Sequence, residues 1–76
     1  MTTKRWQYIF AQRLAVKMKE RGINQRDLAK LSGVSEISVF HYLHSERIPR
    51  IDIVIKLAQT LNCSISELVE VEEMIY

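Results

Sequence analysis

Cysteine, proline and glycine are nearly absent from this chain: one Cys, one Pro and two Gly among 76 residues. A lone Cys63 has no partner for an intramolecular disulfide, and this is the pattern expected of a reducing, cytoplasmic setting. Two glycines and one proline are too few to turn a β-sandwich, and no apolar run approaches the roughly 18 residues of a membrane span. No Gly-rich phosphate loop, nucleophile elbow or paired carboxylate motif is present, and a chain this short could hardly enclose a substrate cavity. The expectation is a protein that is not an enzyme and carries no cofactor.

What is present is apolar residues at helical spacing. Trp6, Phe10, Leu14 and Met18 recur at intervals of four, and Gly22 follows as a left-handed C-cap. Asn24 and Asp27 then open a short second helix, with Leu28, Ala29 and Leu31 expected to face inward as far as Ser32-Gly33. Ser35 caps a third helix, with Glu36 in its first turn, running to about Ser45. That helix buries Val39 and either Tyr42 or Leu43, and it leaves Glu36, Ile37, Phe40, His41 and His44 outside. Beyond Pro49, Ile51, Val54, Leu57, Ala58 and Leu61 mark a fourth helix stopped at Asn62. Ser64 with Glu67 forms a capping box for a fifth that carries Ile65 and Leu68. The class is all-α, with five helices.

Net charge is only +2, yet it is unevenly spread. Residues 1–50 hold ten Lys/Arg against Glu20, Asp27, Glu36 and Glu46, while residues 51–76 set Lys56 against Asp52, Glu67, Glu70, Glu72 and Glu73. Such polarity suits an anionic partner on one side. The expected organisation is one domain over 1–76, made of a core 22–69, a basic N-terminal extension 1–9 and an acidic-apolar tail 70–76. Val69, Val71, Met74, Ile75 and Tyr76 supply more apolar surface than a terminus ordinarily shows, which marks them as the expected contact of a homodimer.

Two short helices joined through Gly33, the second capped by Ser35, make the arrangement that sets one helix into a DNA major groove. From Gly22 to Val69, about two thirds of the chain, the sequence resembles the Xre/Cro and lambda-type phage repressor family. The matching features are Gly22-Ile23-Asn24-Gln25, Leu28-Ala29, Gly33-Val34-Ser35, Val39, Pro49, Lys56-Leu57-Ala58, Leu61 and Ser64-x-x-Glu67-Leu68. The resemblance implies a five-helix, lambda-repressor-like DNA-binding domain, a transcriptional regulator acting on double-stranded DNA as a repressor or autoregulator. It implies that Glu36, Ile37, Ser38 and His41 read base edges, with Phe40 beside them available to thymine methyls. Gln25, at the start of the second helix, would hold a phosphate, as would Arg47 and Arg50. Arg13, Lys4 and Arg5 are further basic candidates.

The chain departs from the family where an arginine late in helix one commonly pairs with a glutamate late in helix three. Those positions are Met18 and Leu43 here, and an apolar pair can replace an ion pair when both partners change together. The reading helix is also unusually apolar, so a second expectation stands beside the first: a protein-interaction module that docks through Ile37, Phe40 and Tyr42. His41, His44 and Cys63 are too few and too scattered for a zinc site, and no metal is expected.

Overall fold

A computed structural model describes residues 3–69, which form five helices and no strand: α1 (Thr3–Arg21), α2 (Gln25–Ser32), α3 (Glu36–Leu43), α4 (Ile51–Thr60) and α5 (Ile65–Val69). The tail residues Val71, Met74, Ile75 and Tyr76 lie outside the described residues. Helix α1 packs on α3 and α5, α2 on α3 and α4, and α4 on α5.

The helix ends follow from local chemistry. Asn24 Oδ1 accepts the Asp27 N–H at 2.8 Å, and Ser35 Oγ accepts the Ser38 N–H at 3.1 Å, so each side chain satisfies a donor that the first turn leaves without an intrahelical partner. At the other end, α1 closes with Gly22 left-handed (φ +65°), where the Gly22 N–H returns to the Lys19 carbonyl and the Ile23 N–H to that of Met18. The same closure ends α4 at Asn62 (φ +54°) and α3 at Ser45 (φ +60°), neither of which is glycine. Helix α3 accordingly stops at Leu43, two residues short of the Ser45 expected from sequence. The fifth helix begins with half of the anticipated capping box. Glu67 Oε2 accepts the Ser64 N–H at 2.7 Å, but the Ser64 hydroxyl donates to that same carboxylate at 3.1 Å rather than accepting a backbone N–H.

One core holds the helices together. Phe10, Leu14, Leu28, Val39, Val54, Leu57, Leu61 and Leu68 are sealed from solvent, with Met18, Val34, Tyr42 and Ala58 beside them. Trp6 stacks nearly parallel on Phe10 (5.7 Å), and Phe10 meets the Tyr42 ring edge-on (6.1 Å), which ties α1 to α3. Tyr42 is therefore the buried member of the Tyr42–Leu43 alternative, while Leu43 is half-buried and packs against the same core as Met18. Arg21 adds a polar tie from α1 to the end of α4, donating to the Leu61 carbonyl at 2.7 Å and the Asn62 carbonyl at 3.0 Å. A cation there meets carbonyls that have no intrahelical donor and the negative end of the helix dipole.

One inward assignment fails, that of Leu31. Leu31 is 65% exposed, and so is Ile51. Ile65 also lies at the surface.

Candidate functional site

Gly33 makes the turn between α2 and α3: at φ +77° its N–H returns to Ala29 at 3.0 Å, and Val34 drops into the core while Ser35 opens α3. The burial of Leu28 on one side and of Val39 and Tyr42 on the other leaves the outer arc of α3 to face solvent. On that arc Ile37 is 69% and Phe40 41% exposed, with Glu36 exposed beside them. Gln25, the first residue of α2, joins Glu36, Ile37 and Phe40 around one shallow depression of about 290 Å³. Four residues that the sequence assigns to one surface thus meet around one concavity.

The remaining candidates are held in distinct ways. The Ser38 hydroxyl accepts from Ser35 Oγ at 2.9 Å, so it sits inside the N-cap. His41 Nδ1 lies 2.7 Å from Glu46 Oε1, and His44 Nδ1 lies 2.8 Å from the Phe40 carbonyl, with the Phe40 and His44 rings stacked at 4.0 Å. Arg47 is exposed in the α3–α4 connection. Arg50 is exposed too, but its guanidinium forks onto Asp52 at 3.0 and 3.3 Å, and this hydrogen bonding holds the Asp52 carboxyl below its ordinary range. Arg13 is directed elsewhere: it donates to the Glu67 carbonyl at 3.2 Å, at the seam between α1 and α5. Lys17 joins that seam through Glu67 at 2.9 Å, which raises the lysine pKa.

One correction follows. Tyr42 is only 7% exposed and packs against Phe10, so it cannot serve as a docking anchor beside Ile37 and Phe40. Cys63 packs against the core, where burial pushes its thiol pKa up. Sequence reasoning passed over Glu46, which contacts His41 from outside the helix. The spacing alone gave little signal, because the left-handed residue that brings Glu46 back to the helix is a serine rather than a glycine.

A family model described as Helix-turn-helix (HTH_3) matches residues 14–68, so the match begins inside α1, ahead of the resemblance read from Gly22. Two solved structures superpose with a TM-score of 0.84 at 28% identity. One is an HTH_3 family transcriptional regulator from Vibrio cholerae, where the alignment covers 88% of this chain and 38% of that one. The other is the restriction-modification controller protein C.AhdI from Aeromonas hydrophila, covering 90% of this chain and 99% of that one. The chain therefore spans well under half the length of the Vibrio cholerae regulator. No curated protein matches.

Proposed function

The chain belongs to the helix-turn-helix (HTH_3, Xre/Cro-like) family, and from that premise we propose that it is a sequence-specific binder of duplex DNA and a regulator of transcription, working without catalysis. Helix α3 enters the major groove, with Glu36, Ile37, Ser38, Phe40 and His41 toward base edges. Gln25, Arg47 and Arg50 hold phosphates. Arg13 joins them only by leaving its seat on the Glu67 carbonyl. The observation that carries this reading is the shared concavity of Gln25 with Glu36, Ile37 and Phe40, because it sets a helix N-terminus, with its free N–H groups and positive dipole, beside the exposed arc of the next helix.

The two relatives support the regulatory role: one is a transcriptional regulator, the other a restriction-modification controller protein. A cytoplasmic homodimer belongs to the same proposal. Among the described residues no helix is long and apolar enough to cross a membrane.

Gel-shift on random duplex across a salt series tests the reading. Gln25→Ala and Arg47→Ala should weaken binding to all sequences alike, since phosphate contacts position the protein without carrying a base code. Arg47→Ala should also flatten the salt dependence by roughly one unit of log–log slope, and Gln25→Ala should not. A mutant that changes the preferred sequence would contradict these roles. The exposed pair Ile37 and Phe40 keeps one rival, a docking surface for another protein, and absence of any shift at low salt would favour it.

A further inference from the structure

The end of α3 is built to hold one side chain. With Ser45 left-handed, its N–H returns to the Tyr42 carbonyl at 3.2 Å and the next N–H, that of Glu46, to the His41 carbonyl at 2.9 Å. The chain thereby doubles back over the last turn, and the Glu46 carboxylate meets the His41 ring at 2.7 Å on Nδ1. Glu46 thus grips His41 twice, once through its backbone and once through its side chain.

The chemistry of that contact sets the state of the ring. A carboxylate only accepts hydrogen bonds, so Nδ1 must be the nitrogen that carries hydrogen. A neutral imidazole has a single N–H, which leaves a lone pair on Nε2. Among the described residues the His41 ring has polar contact through Nδ1 alone, and no buried side-chain nitrogen or oxygen there lacks a partner. Nε2 is therefore open to solvent, on a side chain that is 30% accessible and one turn beyond Ile37.

Helix α3 has the sequence EISVFHYL, without arginine, lysine, asparagine or glutamine. Its one carboxylate, Glu36, is likewise an acceptor. Guanine presents acceptors in the major groove, whereas adenine N6 and cytosine N4 present amino hydrogens. We propose that Glu46 is a positioning residue that fixes His41 in the Nδ1–H tautomer, making its outward nitrogen an acceptor for an adenine or cytosine amino group. This rests on α3 being the helix that enters the major groove.

Two measurements on the full chain test it, both at about pH 8.5, above the range in which histidine side chains ordinarily charge. Long-range proton–nitrogen correlation spectra should show hydrogen on Nδ1 of His41 in the parent protein, and its transfer toward Nε2 in Glu46→Ala, with circular dichroism confirming an unchanged fold. Selection of bound duplexes from a random pool should then give one half-site position where the parent prefers a base with an amino group. His41→Ala should lose preference at that position, and Glu46→Ala should relax it or shift it to guanine, leaving other positions alone. Hydrogen on Nε2 in the parent overturns the proposal. So does a Glu46→Ala protein whose tautomer changes while its selected sequence stays the same. Retention of no duplex at low salt would instead overturn the DNA reading on which the proposal stands.

Discussion

Glu67 shows how much one exposed carboxylate can organise. It accepts the Ser64 N–H at the start of α5, the Lys17 ammonium from α1 and the Ser64 hydroxyl, while its own carbonyl receives Arg13. The Ser64 N–H is the largest influence and Lys17 the next, and together they bring the Glu67 pKa down from 4.5 to about 2. A carboxyl group more acidic in the folded than in the unfolded chain stabilises the fold above its unfolded value and ceases to do so as protonation of the native state sets in. The contribution of Glu67 is thus fully present above about pH 4.5 and is lost as the pH falls toward about 2. Urea denaturation at pH 7 and at points between pH 4.5 and 2 should show a shallower loss of stability in Glu67→Gln than in the parent. Parallel curves would mean that the α1–α5 seam does not depend on this charge. Asp52, also held below its ordinary range, leaves both proteins some acid sensitivity of their own.

At the scale of helices, what the sequence revealed and what it hid have separable causes. The helix count was legible because caps and stops are local: Asn24, Ser35, Gly22 and Gly33 each do what their chemistry favours. Which residues point inward was less so. In α2 Leu28 is sealed in the core and Ala29 packs against it, while Gln25 and Ser32, which complete the i, i+3, i+4, i+7 stripe, are polar and only part-buried. Leu31 lies off that stripe, and its apolar side chain alone points it wrongly inward. In α4 the stripe is Val54, Leu57, Ala58 and Leu61, and Ile51 belongs to the first turn, beyond the core's edge. The candidate site divides in the same way. Positions on α3 and Gln25 could be located because a helix projects its side chains at fixed angles, whereas the pairing of His41 with Glu46 depends on a left-handed serine that no residue type announces. The contrast within α2 can be measured. Leu28→Ala, at a fully sealed site, should cost about 2–5 kcal/mol of stability in chemical denaturation. Leu31→Ala should stay within about 0.5 kcal/mol of the parent. Equal losses would show that α2 packs in another rotation.

The molecule as a whole leaves an apolar surface that its own described residues do not cover. Ile48 and Ile51, 49% and 65% exposed, border a groove of about 450 Å³ completed by Trp6, Pro49, Val54 and Val69, and Ile55 continues the face one turn along α4. A chain of this size buries only roughly 60% of the surface it exposes when unfolded, so a partner that covers such a face adds stability the monomer lacks. A second copy is the occupant that fits the proposed function. Arg47 directly precedes Ile48, so a two-fold seam at these isoleucines brings both copies' Arg47 to one edge, where like charges repel unless a polyanion lies across them. DNA would supply that polyanion, and two α3 helices roughly 34 Å apart would enter successive major grooves at half-sites about 10 base pairs apart. The homodimer expected from Val69 and the tail is then extended to the start of α4, Val69 being common to both. Sedimentation of the full chain, with and without DNA, should show a dimer that tightens on an operator. Ile51→Glu should shift it to monomer and weaken operator binding while helix content is unchanged, since that side chain lies outside the core. A full-length protein that stays monomeric at high micromolar concentration in both conditions defeats the dimer. A dimer indifferent to Ile51→Glu places the seam elsewhere and leaves this groove for another occupant.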